Sequence, residues 1–191
     1  QSGIVSFLDS KTQKIDQLID LTEKKIELLK EQRISLINHC VTKGLNHNIE
    51  MKDSGVKWIG EIPSHWNLSR LKYHVDFDSG YSFKSEDYKE VGVSLIRIGN
   101  LYNNTLDLER SPIFLSEDFL ETHSQFIVSK GDILISLTGT LGKRDYGFSI
   151  TYNLSQPSFL NQRVGRMKLN SSKIEFEFLT YQLHSESYLN Q

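Results

Sequence analysis

Residues 6–43 contain neither Gly nor Pro, and apolar positions recur through them at alternating steps of three and four. The series runs Leu8, Thr12, Ile15, Ile19, Thr22, Ile26, Leu29, Arg33, Leu36 and Cys40, and seven of the ten are apolar. This spacing predicts one long helix with a coiled-coil seam. At ~1.5 Å per residue it is about 55 Å long. Ser6 is placed to cap it, with Asp9 in the first turn. Lys43 in the last turn and Gly44 just beyond predict its stop. No second helix of that length follows. The unmatched seam, carried by Ile15, Ile19, Ile26, Leu29 and Leu36, therefore predicts pairing with another chain or with a segment outside these residues.

Beyond Gly44 the pattern changes. A polar stretch with Asn46, His47 and Asn48 leads to Trp58, Ile59, Ile62, Pro63 and Trp66, which predict an extended connector docked on a globular domain. Residues 68–75 fit a short strand or a short helix. Residues 94–98 predict a strand, with polar turns at Gly99-Asn100 and Asn103-Asn104. Ser116, followed by Glu117 and Asp118, predicts a short capped helix to Ser124. Residues 126–128 and 132–137 are apolar and β-branched around a Lys130-Gly131 turn. Gly139, Gly142 and Gly147 space a loop that carries Lys143, Arg144 and Tyr146. A strand at 163–169 and an amphipathic helix at 174–189, with Ile174, Phe178, Tyr181 and Leu189 inward, complete the chain. The expected organisation is a helix at 1–45, a connector at 46–66 and a domain at 67–191. The fold class is α+β, a long N-terminal coiled-coil helix followed by a compact mixed α/β domain.

Composition narrows the function classes. At 191 residues with 38% hydrophobic content, the chain can build one ordinary core. Its single Cys40 excludes an internal disulfide framework, suits a reducing cytoplasmic compartment and reads as a structural thiol in the seam. No apolar run approaches the ~18 residues of a membrane span, and no signal-peptide pattern opens the chain.

A net charge of −2 excludes binding nucleic acid through bulk charge. The charges are unevenly placed. Residues 143–173 contain Lys143, Arg144, Arg163, Arg166, Lys168 and Lys173 against Asp145 alone, whereas 107–132 holds six acids and two bases. One basic face would suffice for phosphate contacts; the bland alternative is a scattered, solvated surface.

Catalytic patterns fail. Residues 137–144 superficially resemble a phosphate loop, but Leu137 and Arg144 occupy the positions of its first Gly and its Ser/Thr. The six His show no H-x-x-x-H or H-E-x-x-H spacing for a metal. Asp132, after Gly131, reads as a turn acid. No catalytic residue and no metal ligand is assigned.

Two blocks then carry a resemblance. The first is the helix followed by Met51-Lys52-Asp53-Ser54-Gly55-Val56-Lys57-Trp58-Ile59-Gly60-Glu61-Ile62-Pro63-Ser64-His65-Trp66. The second comprises Arg97-Ile98-Gly99-Asn100-Leu101, Lys130-Gly131-Asp132-Ile133-Leu134-Ile135-Ser136 and Asn161-Gln162-Arg163-Val164. In order and spacing they resemble the specificity (S) subunit of Type I restriction-modification systems. The resemblance implies a target-recognition domain at 67–191 that reads one half of a split double-stranded DNA sequence. It implies a spacer helix that pairs with a second one. It also implies methylation and restriction subunits as partners, which carry the S-adenosylmethionine, ATP and Mg chemistry, so that this chain has no cofactor of its own. A full subunit has two such domains and two helices. The chain therefore resembles the C-terminal part of one, ending before its last helix, or a half-size variant. The helix of such a piece is expected to form a homodimer.

Base recognition needs cations, amides and hydroxyls on loops that reach groove edges. The candidates are Lys84, Arg97, Asn100, Asn103, Asn104, Thr138, Thr140, Lys143, Arg144 and Tyr146, with Arg163 in support. Asn100 and Asn104 could equally make turns, and Arg97 could serve an internal ion pair. The alternative function is a protein-interaction module made of a coiled coil and a β-rich binding domain.

Overall fold

The computed structural model describes residues 2–46, 48–140, 145–185 and 188. Helix α1, Ser2–Lys43, opens the chain. It begins at Ser2 and runs through Ser6, which therefore does not cap it. At ~1.5 Å per residue it is about 60 Å long. Thr12 and Thr22, the polar seam positions, donate their hydroxyls to the carbonyls of Leu8 and Leu18 four residues back, at 2.9 and 2.7 Å. The helix ends as predicted: Gly44 takes a φ of +77°, and its N–H returns to the Cys40 carbonyl at 3.1 Å.

Strands β1, Met51–Asp53, and β2, Glu61–Pro63, pair antiparallel as a hairpin. The connector is thus folded on itself rather than extended. Ile62 and Pro63 are buried, Trp66 meets Phe178 edge-on at 5.9 Å, and Lys43 Nζ donates to the Glu61 carbonyl at 2.6 Å. Trp58 does not dock as expected; it lies in the hairpin's loop and is exposed.

The domain proper follows in order: β3 Val75–Ser79, β4 Val93–Ile96, β5 Leu101–Tyr102, β6 Thr105–Leu106 and β7 Phe114–Leu115. Then come helix α2 Phe119–Thr122, β8 Ile127–Val128, β9 Ile133–Ser136, β10 Ser149–Thr151, β11 Ser158–Leu160, β12 Val164–Leu169 and helix α3 Phe176–Leu183. Helix α2 is shorter than the helix predicted from Ser116, whose hydroxyl accepts the Asp118 N–H at 3.4 Å and donates to the Asp118 carboxylate at 2.9 Å.

Two four-stranded sheets stack. One has the order β10-β9-β12-β3 and is antiparallel throughout; the other has the order β7-β4-β11-β8, with β4 and β11 parallel. Successive strand residues point to opposite faces. Ile96, Leu134, Leu160 and Val164 therefore meet between the sheets. On the outer face of the first sheet, Ile133, Ile135 and Met167 pack against Leu179 and Leu183 of α3. On the outer face of the second, Leu95 and Phe159 pack with Phe83 and the half-buried Phe119. Both sheets are covered on two sides, which is why β9 reads as an uninterrupted apolar run. Each such side chain, fully buried, contributes roughly 1.5–3 kcal/mol.

Two expectations are corrected here. The inward face of α3 is Leu179 and Leu183, not Phe178 and Tyr181. Those two lie on the next face and, with Leu36, Cys40, Leu45 and Trp66, line a groove of about 830 Å³ between α1 and the domain. Leu189 lies outside the described residues. The basic run also partly dissolves. Arg166, 8% exposed, points inward, pairs with Asp78 at 2.8 Å and donates to the carbonyls of Ile127 and Gln125. Asp132 is the turn acid expected of it: its carboxylate accepts from the Ser129 N–H at 2.9 Å, and Lys168 lies 3.9 Å away.

The end of α3 is tied to the first sheet by His184, whose Nε2 donates to the Ser149 carbonyl at 2.9 Å. Burial pushes its pKa below the ordinary value; the carbonyl bond opposes this, and Arg33 of α1 adds to the depression. The unfolded chain then binds a proton that the folded one refuses. Stability is full above about pH 6.5, the unfolded value, and is lost as pH falls from there toward the folded pKa. Thermal melts between pH 7.5 and 5.5 should show this decline. His184→Gln, which keeps a donor for the carbonyl, should flatten it; an unaltered slope would assign the effect to another group.

Candidate nucleic-acid interface

The sheet registers decide which loops are neighbours. β12 runs antiparallel to β3 and β9, and β10 runs antiparallel to β9. The C-terminal ends of β3 and β9 therefore lie beside the N-terminal ends of β12 and β10. β4 and β11 are parallel, so both their C-terminal ends reach the same side. Residues 161–163 turn there from β11 into β12. Six strand ends thus converge at one end of the domain.

Backbone bonds stitch the loops together at that end. Tyr81 donates to the Leu160 carbonyl and Gln162 donates back to the Tyr81 carbonyl. Leu137, at the mouth of the glycine loop, donates to the Arg163 carbonyl at 3.0 Å. Asn161 donates to the Ile96 carbonyl at 2.9 Å, joining the second sheet. On the far flank, Asn104 accepts the Ser149 N–H through its Oδ1 at 3.0 Å.

The candidates sort by what their polar atoms already do. Lys84 and Arg163 are exposed on the 80s loop and the 161–163 corner. Thr138 is exposed on the glycine loop, and Tyr146 is half-exposed there. Thr140 is held by Asp145, which accepts from its N–H at 2.6 Å and from its hydroxyl at 2.7 Å. The β5–β6 hairpin turns at Asn103 and Asn104, with φ of +50° and +57°, the two successive positive values of a type I′ turn. Asn103 is exposed at its tip, and Asn104 is the half-buried link to Ser149. Lys143 and Arg144 lie outside the described residues.

Asn100 and Arg97 leave the set. Asn100 is 3% exposed; its Nδ2 donates to the carbonyls of Asp107 and Arg110, both at 2.9 Å, and its Oδ1 accepts the Arg97 N–H at 2.9 Å. That uses both amide hydrogens and the oxygen inside the fold. Arg97, read as a possible partner in an ion pair, instead directs its guanidinium to the Ser111 carbonyl at 2.7 Å. Its Nε is buried without a partner. Both residues brace the loop that carries the hairpin.

Two exposed residues of this end escape the sequence reading, Tyr81 and Gln162. Gln162 stands beside the named Arg163. Tyr81 hides in Gly80-Tyr81-Ser82-Phe83, where alternation alone suggests more strand. Among the described residues, no cluster of three His, Cys, Asp or Glu is arranged to hold a metal ion. No described helix is long and apolar enough to cross a membrane.

A family model for the Type I restriction modification DNA specificity domain matches residues 63–191. The chain is similar to the Type I restriction enzyme MjaVIII specificity subunit of Methanocaldococcus jannaschii, 34% identical over 173 residues, covering 91% of this chain and 40% of that protein. It is similar to the Type I restriction enzyme EcoAI specificity subunit of Escherichia coli, 29% identical over 130 residues, 68% of this chain and 22% of that one. The crystal structure of the HsdS subunit from Thermoanaerobacter tengcongensis shares its fold, with a TM-score of 0.51 at 17% identity over 92% of this chain and 42% of that one. The chain thus spans well under half the length of the relatives it matches.

Asn100→Ala would remove the partner of two carbonyls and one N–H in a partly buried loop. It should lower stability by about 3 kcal/mol, read as a clear drop in thermal midpoint. A variant with an unchanged melt and lost duplex binding would return Asn100 to the DNA-facing set.

Proposed function

The chain belongs to the Type I restriction-modification DNA specificity family, and from that premise we propose that it reads one half of a bipartite DNA target with the loop end of its globular domain. The observation that carries this is the convergence of strand ends that gathers Lys84, Asn103, Thr138, Thr140, Tyr146 and Arg163 on one side. Such an end offers what duplex recognition requires: cations for phosphates, and amides and hydroxyls on loops for base edges. Buried cations do not take part, since Arg166 is engaged inside the fold.

The chain itself is a recognition component without catalysis, and it works in the cytoplasm. Methylation and restriction subunits bind it and supply the S-adenosylmethionine, ATP and Mg chemistry. Helix α1 sets the distance between two half-sites by pairing with a second helix. Its seam is open along most of its length: Ile15, Ile19, Ile26, Leu29 and Leu36 are 46–62% exposed. In the chain as it stands, a second copy fills that role and makes a homodimer.

Two experiments test these statements. Selection of duplexes from a random-sequence pool should return one preferred half-site. Against it, Lys84→Ala with Arg163→Ala should reduce the slope of log affinity against log salt by about two. An unchanged slope would move the phosphate contacts elsewhere. Light scattering across micromolar concentrations should give a dimer mass, halved by Ile19→Asp with Leu29→Asp; a wild-type monomer defeats the pairing.

A further inference from the structure

Tyr81 follows Gly80 directly beyond the end of β3. Its backbone is clamped on both sides, donating to the Leu160 carbonyl at 2.9 Å and accepting from the Gln162 N–H at 3.1 Å. Its ring is clamped as well. Phe83, His123 and Phe126 lie at centroid distances of 5.0, 4.9 and 5.0 Å. Phe83 is itself buried and rests on Phe159 of β11, so the cluster is anchored in the core of the second sheet. The side chain nonetheless remains 42% exposed. Among the described residues its hydroxyl has no protein hydrogen-bond partner.

A tyrosine so held has little conformational freedom left to lose on binding, which favours a contact made through its one polar atom. The surroundings say what that contact is. Lys84, three residues on, and Arg163, next to Gln162, are exposed cations on the same end. Of the nearby acids, Asp78 pairs with Arg166 and Asp87 accepts from the Lys84 backbone N–H at 3.1 Å, while Glu86 is exposed to solvent. A fixed donor on an end that also carries two exposed cations suits an anionic oxygen. It suits a base edge poorly, because Tyr81 sits on the rigid scaffold at a strand end and not on the longer glycine loop or the β5–β6 hairpin. We infer that the Tyr81 hydroxyl donates to a backbone phosphate of the bound duplex and so sets the register of the DNA without reading its sequence. This rests on the DNA-recognition reading above.

The test uses the full-length protein assembled with its methylation subunits and two duplexes. One is selected by the wild-type complex from a random pool; the other has the same length and a scrambled sequence. Tyr81→Phe keeps the ring, and with it the aromatic cluster, and removes only the donor. It should weaken binding to both duplexes by about tenfold, the loss of one hydrogen bond to a charged group. The ratio between the two should stay constant. The salt slope should also stay constant, because no cation is removed, whereas Lys84→Ala should reduce it by about one. Wild-type affinity for both duplexes in Tyr81→Phe overturns the inference alone. A loss confined to the selected duplex overturns it too, by making the hydroxyl a base contact. A wild-type complex that selects no duplex at all overturns the reading on which it rests, and the inference with it.

Discussion

Gly80 has no room for a side chain. A Cβ there would stand 2.3 Å from the Leu160 carbonyl oxygen and 2.4 Å from that of Asn161. Backbone packed on backbone at this distance lets β3 of one sheet approach the point where β11 of the other turns into β12. The approach allows the bridge between Tyr81 and Asn161, and the bridge fixes the 161–163 corner. That corner supplies the carbonyl that receives Leu137, and so the entry to the glycine loop. The placement of Tyr81, Arg163 and Thr138 at one end is therefore a single geometric consequence of two sheets meeting at a glycine. Any residue with a Cβ would force the sheets apart where the loops are stitched.

The helix obeys a different constraint. Of its 42 residues only Val41 is buried, in the last turn, where the connector and α3 meet it. A long helix in water gains most of its stability from burying an apolar face, and this one leaves its seam in solvent. The apolar stripe is too regular to be the scattered surface hydrophobicity of an ordinary domain. Local order and global burial disagree along α1, whereas the core strands of the two sheets bury the apolar faces their pattern predicts. That contrast separates the part of the chain that folds on itself from the part whose apolar face stays in solvent.

Much of this was legible in the sequence, and the failures have physical causes. The long helix and its stop at Gly44 follow from period and capping chemistry, which are local. Strands such as Ile133–Ser136 follow from β-branched runs. Asn103-Asn104 was legible as a turn because asparagine tolerates positive φ. Sheet membership was not: Ile127–Val128 and Ile133–Ser136 are separated by one short turn yet belong to different sheets, and only long-range packing decides that. The same limit misplaced Phe178 and Tyr181, which are apolar enough for the core but face the α1 groove. It also left Arg166 in a basic run, because composition counts charges without saying which are already paired inside.

Buried Asn100 and half-buried Arg97 show why residue type alone cannot find a reading surface. Asparagine and arginine are chosen for base edges because they present several directional donors and acceptors. The same inventory makes them suited to bracing an irregular loop, where carbonyls of residues such as Asp107, Arg110 and Ser111 find no strand partner. A buried carbonyl left unpaired costs about 1–3 kcal/mol, so a loop that must hold its shape recruits these side chains first. Residues that brace and residues that read then sit a few positions apart in one segment, as Asn100 and Asn103 do. They are told apart by burial and by whether their hydrogen bonds are already used. By that criterion the recognition surface we propose is the exposed remainder: the hairpin tip, Thr138 and Tyr146 of the glycine loop and the strand-end cations, held in place by polar groups whose bonds are already used inside the fold.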